Sequence, residues 1–286
     1  MSAFALLKKS VSDFADDDMT TYASALAYQA LFALFPFIIF LIALLGMLDM
    51  SSFFEWLRQR AQLVLPQEAM TGVNRAISEL KQPQGGLLSV GAIVAIWSAS
   101  GGIRAIMHAL NVAYDVKEGR PAWKLYPLSV LYTIGIAGML VVAGLLMSVG
   151  PEAIHWLTSQ LGMEQLFATL WAWLRWPFAL FLLCLAVALI YYVAPDVEQQ
   201  FRFITPGSVV AVLVWIAGSL AFNYYVRNFS DYSATYGSIG TIIVLLLYFF
   251  ISSAVLLFGA EVNAVIEHSS PKGKEPGEKE IPPERK

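Results

Sequence analysis

Residues Trp97–Tyr114 read WSASGGIRAIMHALNVAY. They form the downstream half of a hydrophobic span that begins near Gly85. At about 100° per residue, Trp97, Ser100, Arg104, His108 and Asn111 share one narrow helix face. Gly91, Ala95, Ser98, Ala99 and Gly102 lie on the opposite side. The small residues let a second helix approach closely, while the other face is polar. A span divided in this way belongs inside a bundle of membrane helices.

The rest of the chain supports that reading. Of its 286 residues, 58% are hydrophobic and 14% charged, against roughly half and a quarter in soluble domains. The excess is gathered into runs. Six stretches contain no Asp, Glu, Lys or Arg: Met19–Leu48, Gln82–Ile103, Leu125–Gly150, Trp176–Ala194, Phe203–Val226 and Tyr232–Ala260. Each supplies the roughly 20 apolar residues that cross a bilayer as a helix. Barrel strands are shorter and alternate in polarity, so the same runs exclude them. The fold class is all-α: a polytopic bundle of six transmembrane helices with amphipathic interfacial helices.

The expected organisation is an amphipathic lead-in at 1–21, a membrane domain at 22–266 and a disordered tail at 267–286. The six spans cover about 22–48, 86–110, 126–150, 174–194, 205–227 and 236–264. In the lead-in, Phe4, Leu7, Val11 and Phe14 repeat at helical spacing beside Lys8 and Lys9, as in a helix lying on a membrane surface. Three aspartates, Asp16 to Asp18, precede the first span and exclude a cleavable signal peptide. Pro36 falls inside the first span, where it removes a backbone hydrogen bond. Residues 49–84 and 152–175 read as amphipathic connections, and Trp171, Trp173 and Trp176 as an interfacial aromatic belt. Pro206 suits the first position of the fifth span. The tail is rich in Lys, Glu and Pro without an apolar period.

Lysine and arginine set the orientation. With the N-terminus cytoplasmic, twelve basic residues lie inside and six outside. That places both termini in the cytoplasm. Arg104 and Glu261 then follow the uncharged runs of spans two and six at similar depth near the cytoplasmic boundary. They either pair, carry substrate or gate it, or else Arg104 snorkels to headgroups and Glu261 reaches water. His108 and Asn111 continue the Arg104 face; they tie span two to its following loop or help bind an anionic headgroup. Asn263 lies roughly 200° around from Glu261 and serves a different interface, as a hydrogen-bonding lock. Tyr28 in the first span and Tyr236, at the glycine-containing entry to the sixth, complete the polar candidates.

Four segments carry a family resemblance: DDDMTTYASALAYQALFALFP at 16–36, WSASGGIRAIMHALNVAYDV at 97–116, YSATYGSIGTIIVLLLYFF at 232–250 and LLFGAEVNAV at 256–265. In this order they resemble the YihY/BrkB family of bacterial inner-membrane proteins, from about residue 10 to 267. The resemblance implies six spans with both ends inside. It also implies a transporter-like role linked to the cell envelope and, in one branch, to serum resistance. Some members have carried a ribonuclease label. The residues of this chain do not support one: His108, His155 and His268 have no metal-ligand spacing, and the basic residues are too scattered for an RNA groove.

The leading function is therefore a transporter or flippase of an amphipathic or anionic envelope compound, with membrane lipids as partners and neither nucleic acid nor cofactor. The alternative is a non-transporting scaffold for envelope proteins, acting through the amphipathic flanks and charged tail. No Walker A, HExxH or GxSxG pattern occurs, so neither ATP use nor an embedded enzyme is expected. Oligomeric state and substrate identity are not legible.

Overall fold

The computed structural model describes residues 2–47, 85–139, 164–199, 203–228, 232–270 and 274–280. Every regular element among the described residues is a helix: α1 (Ala3–Asp16), α2 (Met19–Met47), α3 (Gly85–Ala113), α4 (122–139), α5 (Glu164–Val193), α6 (Pro206–Asn228) and α7 (Tyr232–His268). The expected connections at 49–84 and 152–163, and the end of the third span, lie outside the described residues. Residues 164–175, expected in an amphipathic connection, instead continue without a break into α5.

Four helices carry stretches long and apolar enough to cross a membrane: Val90–Ala113, Trp176–Val193, Pro206–Val226 and Gly240–His268. Only 11–22% of the residues in these stretches are buried within the chain. Helices that show apolar side chains nearly all round need an apolar surrounding. The aromatic residues set its edges. Trp173 and Trp176 are exposed near the start of the α5 stretch, and Trp123 and Tyr126 at the start of α4. From Trp176 to Val193 a helix rises about 26 Å, close to the ~30 Å of a hydrocarbon core.

Helix α7 organises the molecule. Its 37 residues span about 55 Å, more than a whole bilayer, and it packs against α1, α2, α3 and α6. Helix α5 joins through α6, and α2 also packs on α3. The core is concentrated at one end, where Met19, Ala23 and Leu26 of α2 meet Met107 and Leu110 of α3, Tyr191 of α5, Ala211 of α6 and Leu257 and Ala260 of α7.

Two glycines allow the α6–α7 crossing. A Cβ on Gly207 would collide with the Gly259 carbonyl, and one on Gly259 with the Tyr191 hydroxyl and the Gly207 carbonyl. Tyr191 Oη donates to Leu256 O at 2.5 Å, fixing α5 to the same place. Pro206 is the first residue of α6, where it lacks nothing by having no N–H. Thr205 and Ser208 cap that end reciprocally, each backbone N–H donating to the other's hydroxyl at 3.1 Å.

Helix α1 is held at the packed end. Ser2 Oγ accepts from Ala5 N at its start, and Phe14 meets Phe258 of α7 edge-on at 6.0 Å. Phe4, Leu7 and Val11 remain exposed. Helix α3 ends in a Schellman motif: Val116 N donates to Asn111 O and Asp115 N to Val112 O, both at 2.8 Å. Asp115 takes the left-handed position at φ 56° that glycine usually fills.

The tail departs from its expected disorder at 274–280. Lys274 is buried, donates to Glu198 O and pairs with Glu267 at 3.2 Å. Glu198 N donates to Lys279 O at 2.7 Å. Composition alone missed this because the segment is ordered by polar contacts rather than by an apolar face.

Candidate functional site

Arg104 projects from α3 toward α4. Its Nη1 donates to Ser100 Oγ at 2.9 Å and to Ser129 Oγ at 3.1 Å. Both serines are fully buried, and each hydroxyl also donates to a carbonyl of its own helix, Trp97 O and Tyr126 O, at 2.7 Å. The guanidinium lies 4.5 Å from the Tyr126 ring and 5.6 Å from the Trp97 ring. Those rings stack on each other, 6.1 Å apart, and are both exposed on their outer sides. The result is a cation held at the rim of the bundle by two hydroxyls and two aromatic faces. Among the described residues it has no carboxylate partner, and its Nε and Nη2 have no acceptor.

Arg104 and Glu261 therefore do not pair. Arg104 turns to α4, while Glu261, on α7, faces the α1–α2 turn. Glu261 is only 1% exposed, its side chain is in hydrogen-bond contact with Asp17, and its Oε1 has no partner among the described residues. Similar depth on neighbouring helices does not bring two side chains together when their helix faces diverge.

The face predicted for α3 divides in the same way. Trp97, Ser100 and Arg104 form one site. His108, one turn on, stacks on Tyr22 of α2 at 5.6 Å. Asn111 is buried and holds the loops together: its Nδ2 donates to Glu118 Oε2 at 2.9 Å, and its Oδ1 accepts from Asp196 N at 2.6 Å. Arg120 completes a polar cap. It donates from Nε and Nη2 to the two Glu118 oxygens, both at 2.7 Å, and from Nη2 to Ala194 O at 2.8 Å. Asp196 accepts from Gly119 N at 2.9 Å and pairs with Lys279. Burial would raise both acids, but Arg120 and Asn111 around Glu118, and Lys279, Gly119 and Arg120 around Asp196, hold them below the ordinary carboxylate range.

Asn263 bridges α7 to the start of α6. Its Oδ1 accepts from Gly207 N at 2.8 Å and its Nδ2 donates to Thr205 Oγ1 at 3.0 Å, so it occupies the start of α6. Tyr28 is 61% exposed and stacks on Phe32, away from Arg104. Tyr236 lies in the first turns of α7, with its side chain outside the described ones. Sequence reasoning missed Tyr126, Ser129, Asp17 and Asp196. A hydroxyl three residues beyond an interfacial tyrosine was a legible signal for Ser129. The meeting of Asp196 with Asn111 and Lys279 is long-range, and no local pattern announces it. Among the described residues no group of three or more His, Cys, Asp or Glu could hold a metal ion.

Comparison with known proteins places this geometry. The chain is 40% identical over 202 residues to a Bacillus subtilis protein whose name reads ribonuclease-like protein YfkH; the match covers 70% of this chain and 74% of that one. It is 25% identical over 257 residues to a UPF0761 membrane protein of Xanthomonas campestris, covering 87% of this chain and 57% of the relative. The chain thus spans little more than half the length of that relative. A UPF0761 membrane protein of Mannheimia succiniciproducens shares 33% identity over 82 residues, 29% of each chain. No solved structure matches. The model of the family described as virulence factor BrkB matches residues 10–282. The chain is a membrane protein and belongs to the virulence factor BrkB family.

Proposed function

We propose that the chain crosses the bacterial inner membrane six times with both ends in the cytoplasm, and that it transports or flips an amphipathic, anionic envelope compound along the lateral face marked by Arg104. Helix α2 and the helix that starts at 122 supply the two spans beyond the four already delimited. The basic-residue asymmetry sets the orientation. Helix α1 then lies at the cytoplasmic surface with Phe4, Leu7 and Val11 toward lipid.

The observation that carries the reading is the state of Arg104. A guanidinium near the hydrocarbon boundary is costly unless something shares its charge. Here two buried hydroxyls orient it, two exposed aromatic rings flank it, and Nε and Nη2 have no acceptor among the described residues. That fork fits the paired oxygens of a phosphate or carboxylate. An anionic headgroup whose acyl chains lie against the exposed apolar faces of α3 and α4 satisfies both halves of the site.

The test is native mass spectrometry of the protein purified from mixed phosphatidylglycerol and phosphatidylethanolamine vesicles. Retained phosphatidylglycerol should fall in Arg104→Gln and persist partly in Arg104→Lys. Equal retention in wild type and Arg104→Gln rejects the site. The scaffold reading has less support in its simplest form, because Lys279 ties part of the charged tail to the polar cap and Lys274 ties it to Glu267 of α7.

A further inference from the structure

A second feature lies on the other side of α7. Asp17, at the turn between α1 and α2, and Glu261, on α7, have their side chains in hydrogen-bond contact. Two carboxyl groups in contact cannot both be ionised without direct repulsion, so one of them must donate. Among the described residues, the charges that act most strongly on the pair are all acidic. Asp13 and Asp16 face the pair from α1, and Asp115 faces it from the loop after α3, where the Tyr114 phenol also lies. Farther along α7, Glu267 is taken by Lys274, and Lys9 of α1 acts on His268.

The second observation is the burial of Glu261. Its side chain is 1% exposed, and Oε1 is shielded without a hydrogen-bond partner among the described residues. A buried ionised carboxylate with an unfilled oxygen and acids as its strongest charged neighbours among the described residues is strongly unfavourable, whereas a protonated one donating to Asp17 is not. No set of three ligands that could hold a metal ion occurs among the described residues. The ligand that fits this place is a proton.

We propose that Asp17 and Glu261 form a proton-binding site that holds one shared proton and, through it, keeps the α1–α2 turn docked on α7. When the proton leaves to the aqueous phase beside α1, the pair carries two negative charges against Asp13 and Asp115, and the turn separates from α7. Burial, with the charges of Asp115 and Asp13, pushes the Asp17 carboxyl up from 3.8 to about 6. The proposal does not rest on the lipid reading, since Arg104 faces neither carboxyl.

The experiment is an infrared pH titration of the full-length protein reconstituted in phosphatidylcholine vesicles, following the carbonyl stretch of protonated carboxyl groups. Wild type should show the band at pH 7 and lose it as the pH rises. The band should be lost at pH 7 in Glu261→Gln. In Asp17→Asn, where the amide donates to Glu261 in place of the proton, it should titrate at lower pH than in wild type. Hydrogen exchange of the α1 amides, corrected for intrinsic pH dependence, should accelerate across the wild-type transition and become pH-independent in Glu261→Gln. A wild-type spectrum without the band at pH 7, or a band that survives Glu261→Gln, overturns the site. So does an unchanged midpoint in Asp17→Asn, which decides the matter even if Glu261→Gln does not fold.

Discussion

Replacing Gly259 with alanine tests the packed end of the bundle at its tightest point. The added methyl would lie 2.6 Å from the Gly207 carbonyl oxygen and 2.7 Å from Ala211 Cβ, with the Tyr191 hydroxyl closer still. The first two neighbours are backbone and a stiff methyl on α6, so the helix itself must move. Overpacking of this kind costs about 1–3 kcal/mol. Moving α6 also strains the Gly207–Asn263 hydrogen bond, and moving Tyr191 strains its bond to Leu256, each worth ~1 kcal/mol. The expected loss is about 3 kcal/mol, or roughly 6–12 °C in melting midpoint at ~2–4 °C per kcal/mol. Cys184 is the single cysteine of the chain and is buried in α5, so a thiol-reactive dye reads the opening of the bundle directly. Gly218→Ala is the control: its methyl meets only Ile251 Cγ2, at an ordinary 3.7 Å, and should leave the midpoint within about 2 °C of wild type. Equal midpoints for Gly259→Ala and wild type would refute the close crossing of α6 and α7.

Three further outcomes follow from the polar cap and the helix ends. Asn111→Ala removes the acceptor of Asp196 N and the donor to Glu118, and should cost about 2–3 kcal/mol, read as faster proteolysis in the 114–121 loop. Glu118 and Asp196 have depressed acidities in the folded chain. Their contribution is therefore complete above their ordinary pKa values of 4.5 and 3.8 and is lost as pH falls through the lower folded ones. Hydrogen exchange of that loop should rise only in this acid range. Asp115→Gly should raise the melting midpoint, because a non-glycine residue in the left-handed region costs roughly 1 kcal/mol, and the change also removes a charge facing Asp17 and Glu261. A lowered midpoint in Asp115→Gly would show that its side chain holds the loop in place.

The membrane-length helices were legible because each holds a long uncharged run, and a membrane leaves few alternatives for such a run. Several ends were legible too: Pro206 opens α6 where expected, and the Lys-Glu-Pro composition marks the chain beyond α7. The site was legible only by halves. Helical spacing grouped Trp97, Ser100 and Arg104 correctly, because they lie within two turns and meet one neighbour, α4. His108 and Asn111 do not join that site, because farther along α3 the same face passes from α4 to α2 and then to the loops, where Asn111 makes the tie to the following loop that was one of the two expected roles. The Arg104–Glu261 pairing failed for a related reason: depth follows from position in a run, but the partner of a side chain depends on helix rotation. Asp17 was visible only as one acid among three. Its place against Glu261 depends on how α1 folds back onto α7, through contacts such as Phe14 with Phe258.

On the proposed function, Arg104 receives an anionic headgroup on a lipid-facing path. The assay is transbilayer movement of a fluorescent phosphatidylglycerol, followed by quenching of the outer leaflet in vesicles with and without purified protein. Wild type should accelerate movement over protein-free vesicles, Arg104→Gln should abolish the acceleration, and Arg104→Lys should retain part of it. Movement no faster with wild type than without protein, or equally fast with Arg104→Gln, would rule out this role for Arg104.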